Sequence, residues 1–167
     1  MSIFPISTRN TKMRNAVAGW WRWGVAHAPD IHYAEVRPMR SANKAPGALP
    51  LTMDCSETVT TFTRWAGGPD PTGSGYNGYG NTDSMAAHLR RIRKRRTRRG
   101  DLAIFGPPGA TVHVVQLLQG GFWRRDPLVG THGEETGPHI WALSQEQSYR
   151  PGQALNFYRL VSHTWKE

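Results

Sequence analysis

Apolar positions fall at helical spacing in the first part of the chain and at strand spacing after Gly100. In "RNTKMRNAVAGWWRWGVAHAP", Val17, Trp20, Trp21 and Gly24 recur at steps of three and four. That is one stripe of a helix of about 17 residues ending before Pro29, and its tryptophans are core material. "HYAEVRPMRSANKAPGALPLTM" is rich in Pro, Gly and Ala and reads as an ordered loop with room for a short strand. From Asp54, "DCSETVTTFTRWAGG" predicts a second helix. Asp54 is the N-cap, Glu57 three residues on completes a capping box, and Gly67 and Gly68 stop it. "PDPTGSGYNGYGNT" is a long turn-rich loop, a kind often functional in compact domains. "TDSMAAHLRRI" predicts a short helix running into a basic segment. Beyond Gly100, "DLAIFG", "TVHVVQLLQ", "DPLVGTHG" and "ALNFYRLV" are short, β-rich and bounded by Gly or Pro. Helices first and a mostly antiparallel sheet second make an α+β pattern in a single domain spanning residues 1–167.

Length and composition narrow the class. A chain of 167 residues can bury a proper core. No apolar run approaches the roughly 20 residues of a membrane span. The start "MSIFPISTRNTKMRN" lacks the apolar core of a signal peptide, so the expectation is synthesis in a reducing cytoplasm and exit by another route if the protein acts outside. A lone cysteine excludes an internal disulfide framework and a cysteine-based zinc site. Among the seven histidines, His27, His32, His88, His139 and His163 show no persuasive metal spacing, and no metal or cofactor is expected.

The net charge of +9 is local. The run "RRIRKRRTRR" at residues 90–99 holds eight cations (Arg90, Arg91, Arg93, Lys94, Arg95, Arg96, Arg98 and Arg99) and leaves +1 for the rest. Such a run binds polyanions by counterion release. No base-reading or stacking motif accompanies it, which argues against a nucleic-acid partner. The open readings are a phosphate-bearing polymer, an acidic neighbouring subunit, attraction of acidic substrate toward a cleft, and a solvated Arg-rich linker.

The only cysteine, Cys55, opens the second helix. A thiol is a useful nucleophile as thiolate, and both a helix N-terminus and a neighbouring imidazolium lower its pKa. Two histidines stand out. If "TVHVVQLLQGGFWRRDPLVGTH" is a hairpin turning through "GGFWRRD", His113 and His132 face each other across the strands, with Cβ atoms roughly 5 Å apart. One imidazole would then orient the other against Cys55. A bulge or shifted register would break that pairing. The alternative is a buried thiol and two unrelated strand histidines.

The order "DCS", "GDLAIFG", "HVVQLL", with the loop "GGPDPTGSGYNGYGNT" and "THGEETGP", resembles the NlpC-type, papain-like cysteine peptidases of bacterial cell walls, and most closely the phage endolysin and virion-hydrolase branch. The likeness runs from about Asn10 to Leu160. It implies Cys55 as nucleophile, His113 as general base and His132 as the third, orienting residue. Asp54 and Ser56 match the nucleophile's neighbours, and Tyr33 matches a tyrosine that points its hydroxyl into the site, giving these three a substrate or oxyanion role. The sequence departs at Glu57, where many relatives carry a small residue, and in the longer gap between the two histidines. The implied function is hydrolysis of an amide in the peptidoglycan stem peptide, with peptidoglycan and other virion (tail) proteins as partners. The protein would be made in the host cytoplasm and act on the wall after release, or travel as part of the virion. The alternative is a structural virion protein of the tail or neck on the same scaffold.

Overall fold

The computed structural model describes residues 4–121 and 124–160. Helix α1 (Phe4–Ala26) starts before the expected Arg9. Pro5 is tolerated there because first-turn N–H groups have no helical acceptor. Two short parallel strands, β1 (Ile31–His32) and β2 (Leu51–Thr52), follow across the Pro-rich loop. Helix α2 (Cys55–Trp65) is capped by Asp54, whose carboxylate accepts from the Glu57 N–H at 2.7 Å. The expected capping box is only half formed. The Glu57 carboxylate turns away and accepts from the backbone of Arg40 and Ser41, each at 3.0 Å.

The short helix α3 (Thr82–His88) ends sooner than expected, and Arg90–Ile92 form strand β3. The remaining elements are β4 (Leu102–Phe105), β5 (His113–Leu117), β6 (Leu128–Gly133), β7 (Gly137–Ala142), α4 (Leu143–Ser148) and β8 (Leu155–Arg159). Strands β3 to β8 make one antiparallel sheet in the order β3-β8-β4-β5-β6-β7. The α+β architecture expected from the sequence is what is found. The sequence reading left β3, β7 and α4 unrecognised. "RRI" and "GPHIWA" lack clean alternation, and α4 is too short to show a period.

Alternation along the central strands builds two cores. Leu102, Ile104 and Val114 face Val17, Trp21, Val59 and Phe62 of α1 and α2. Ala103, Phe105, Val115, Leu117 and Val129 face the other way, toward Leu143 of α4. Trp21 is fully buried and meets Phe62 edge-on at 5.1 Å. Its indole lies flat on β6 because position 130 is Gly. A Cβ there would sit 2.1 Å from the ring. Gly130→Ala is therefore expected to cost about 1–3 kcal/mol of unfolding free energy by overpacking. Urea denaturation reads it, and unchanged stability would mean that Trp21 does not rest on Gly130.

Candidate active site

Cys55 is the first residue of α2, and the fold presents it to the start of β5. The helix start is built from charged groups. The Asp54 carboxylate accepts from Ser56 Oγ at 2.8 Å and from Arg37 at 2.9 Å, and Arg37 also reaches Ser56 Oγ at 3.0 Å. Asp54 and Ser56, expected as substrate or oxyanion groups, are thus engaged with each other and with Arg37. They hold the helix start in place. Arg37 also balances the Asp54 charge, which by itself pushes the neighbouring thiol up.

His113, the first residue of β5, lies within hydrogen-bonding reach of the Cys55 thiol. Burial pushes the thiol up, but the hydrogen bond and charge of His113 outweigh it, and the net shift is downward. For His113, burial favours the neutral ring, but its bonds to Cys55 and Glu146 carry it above the ordinary range. A lowered thiol beside a raised imidazole favours the thiolate–imidazolium pair. His113 Nε2 is 2.9 Å from Thr131 Oγ1 and 3.1 Å from Glu146 Oε1, which leaves Nδ1 for the sulfur.

The residue behind His113 is therefore Glu146, and the expectation for His132 is corrected. Gln116 pairs with Gly130 and Leu117 with Val129, one residue away from the register that would set His113 opposite His132. A one-residue slip moves a side chain to the other face. Thr131 consequently shares a face with His113, and His132 points to the helices. There His132 Nδ1 is 2.7 Å from Thr58 Oγ1. The Thr58 hydroxyl donates to the Asp54 carbonyl at 2.8 Å, so His132 must be the donor to Thr58 and its Nε2 is bare. That Nε2 is buried without a partner. Burial, aided by His139 and His113, lowers the ring to about 4, so it stays neutral at neutral pH.

Glu146 sits on α4, and burial would raise its carboxyl. His113, Trp141 and Arg150 outweigh that and hold it at about 2. Trp141 Nε1 donates to Oε2 at 2.7 Å and Arg150 Nε to Oε1 at 3.2 Å. Glu146 was missed because "LSQEQS" offers nothing but one more acidic residue, and only the fold brings α4 beneath β5. The small polar residue beside "TH" at 131 was the one available hint for Thr131.

Tyr33 lies beside Cys55, its hydroxyl near the thiol and the helix start. Burial first, then the negative charge of Cys55 and Asp54, raises its pKa. Its ring stands edge-on to His132 at 5.2 Å. Beside Tyr33 opens a groove of about 520 Å³ lined by Ile31, His32, Glu134 and Thr136. The basic run lies elsewhere, at the β3 edge. Lys94 leaves it, with its ammonium donating to the Arg125 carbonyl at 2.7 Å.

These features define a thiol–imidazole–carboxylate site on an α+β fold. No family model matches the chain, and no curated protein matches it either. Among solved structures it is similar to RipD of Mycobacterium tuberculosis, a non-catalytic NlpC/p60 domain protein adapted to peptidoglycan binding. The two share 15% identity over 87% of this chain and 98% of that one, with a TM-score of 0.49. It is also similar to the P60 domain of an antigen of Mycobacterium avium paratuberculosis, at 16% identity over 87% and 96% of the two chains, with a TM-score of 0.46.

The assignment of Glu146 has a direct test. Cys55 is the only cysteine, so thiolate ultraviolet absorbance reports on it alone. Glu146→Gln removes the charge that raises His113, and the thiol in turn loses its imidazolium. The thiolate midpoint is expected to move to higher pH, while His132→Asn leaves it close to wild type. The opposite pattern would return the orienting role to His132.

Proposed function

We propose that the chain is a cysteine hydrolase that cuts an amide bond in the stem peptide of peptidoglycan. The observation that carries this reading is the buried line Cys55–His113–Glu146 at the start of α2. The Cys55 thiolate attacks the amide carbonyl. A C–S bond forms, and the carbonyl electrons move to oxygen. The Cys55 N–H and the Tyr33 O–H are the donors for that oxyanion. As the intermediate collapses the C–N bond breaks, and the His113 imidazolium gives its proton to the leaving amine. Water then adds to the thioester, His113 takes its proton, and the thiolate leaves. Glu146 stabilises the imidazolium throughout without itself being protonated.

The substrate class rests on the ordered sequence likeness to wall peptidases and on the groove beside Tyr33, where Glu134 suits an amino group of a peptide carrying a diamino acid. The same likeness supports a phage lysin or virion-associated hydrolase, made in the host cytoplasm and acting at the wall. A structural or binding role in a virion is the second reading. It is favoured by one observation. Cys55 is only 7% exposed.

The decisive experiment digests purified peptidoglycan with wild type and with Cys55→Ala and identifies the new termini by mass spectrometry. Termini released by wild type alone are the expected result and name the bond. No release by folded wild type across several wall chemistries moves the protein to the second reading. The rate should also form a plateau in pH. It falls on the acid side as the thiolate is protonated, and on the alkaline side as His113 loses the proton the leaving amine requires. Because Cys55 is lowered and His113 raised, the plateau is wider than two unperturbed groups would give. Initial rates across pH check it.

A further inference from the structure

The run 90–99 is a built surface. After β3 the chain turns through the short 3-10 segment Lys94–Arg96, and buried Thr97 fixes the turn by donating to the Lys94 carbonyl at 2.7 Å and accepting from Gly121 N–H at 2.8 Å. The turn folds the run back on itself and encloses a groove of about 990 Å³. Eight arginines line it, seven from the run and Arg159 from β8, with Ile92, Thr97 and Gly120 as the other walls. No carboxylate and no aromatic ring is among the described lining residues. Arg90 and Arg159 are direct cross-strand partners, a like-charge pairing that destabilises a sheet. Arg159 feels the crowding. Burial lowers its pKa, Asp101 opposes that, and Arg14, Arg98 and Arg90 push it lower. Asp101, the acid that pairs with Arg159, is fully buried and already shared between Arg14 at 2.9 Å and Arg159 at 3.2 Å. An edge strand needs a charge or two to prevent edge-to-edge pairing. It does not need eight arginines around one groove, of which only Arg99 and Arg159 have side-chain partners among the described residues. An anion of high charge density suits this lining, and guanidinium forks match phosphate oxygens.

We propose that this groove binds an extended, base-free phosphodiester polymer of the cell wall and holds the enzyme beside its substrate. The assignment rests on the peptidoglycan reading above. Nucleic acid is less favoured by the described lining, which holds no aromatic platform for the bases. The groove is separate from the thiol. β5 runs from His113 at the site to Leu117, and Gly120 at the groove lies three residues beyond its end.

The test compares wild type with the double variant Arg91→Glu/Arg95→Glu. Both side chains are exposed and make no other hydrogen bond among the described residues. Binding to purified walls carrying their phosphate polymer, and to walls chemically stripped of it, is measured by sedimentation over a range of salt. Hydrolysis of a soluble stem peptide is followed in parallel. Wild type is expected to bind the phosphate-bearing walls at least about tenfold more tightly than the stripped ones, with affinity falling steeply with salt. The double variant should lose about tenfold or more, show a salt slope shallower by roughly two, about one for each cation removed, and hydrolyse the soluble peptide like wild type. Equal binding of both walls, or full wall binding by the variant, overturns the proposal. So does a single-stranded oligonucleotide that binds as tightly as a glycerol-phosphate oligomer with the same number of phosphates, which would assign the groove to nucleic acid. Failure to hydrolyse the soluble peptide while wall binding behaves as expected counts against the hydrolase reading and leaves the groove's ligand standing.

Discussion

A single fully buried amide, Gln116, ties together the parts whose relative positions matter. Its Oε1 accepts from the Trp21 indole of α1 at 2.8 Å. Its Nε2 donates to Thr63 Oγ1 of α2 at 3.2 Å and to the Gly100 carbonyl at 3.0 Å. A polar group in a core is tolerated only when its bonds are made, and one left unpaired costs about 1–3 kcal/mol. The two helices can therefore meet the sheet in one arrangement without leaving a bond broken. Gln116 lies three residues along the strand that His113 opens, and Thr63 lies on the helix that Cys55 opens. The pin that orders the core also sets the separation between thiol and imidazole.

With that separation set, the electrostatics of the site follow from burial. Three titratable groups in a row, each poorly exposed, would all favour their neutral forms if isolated. Adjacent to one another they stabilise charge alternately, as thiolate, imidazolium and carboxylate. Glu146 anchors the line because Trp141 and Arg150 satisfy both of its oxygens from outside the row. At the other end Arg37 draws the Asp54 charge away from the sulfur. His132, with a bare and unpartnered Nε2, completes the wall beside Tyr33 and takes no part in this alternation.

The legible parts of the sequence were those with local causes. The N-cap at Asp54, the apolar stripe of α1 and the alternation in β4 and β5 each depend on neighbours a few residues away, and each was found where expected. That Cys55 and His113 each begin an element was legible in the sequence, and the fold brings the two element starts together. His132 was misplaced because register is set by packing on both faces of the sheet. The Gly130–Trp21 contact, invisible in a list of residues, decides which way the strand alternates. Glu146 and Arg37 could not be read at all, since α4 and the Pro-rich loop reach the site only through tertiary structure. The Arg-rich run was visible as charge, but its concavity depends on Thr97 capping a turn that no pattern announces.

The placement of that concavity bears on how the two ends of the sheet relate. β5 is a rigid, fully buried strand with the imidazole at one end and the wall of the arginine groove just beyond the other. A ligand held in the groove would be positioned relative to the thiol by a strut that cannot flex without breaking the bonds of Gln116. Under the proposed function, tethering through such a strut would raise the local concentration of substrate without touching the chemistry at Cys55, with a reach set by substrate geometry. Of the eight groove arginines, Arg159 is the one that Asp101 pairs with among the described residues, and Arg90 lies directly across the strands from it. An anion bound there as proposed would relieve that like-charge pairing and so stabilise the sheet edge that β3 and β8 form.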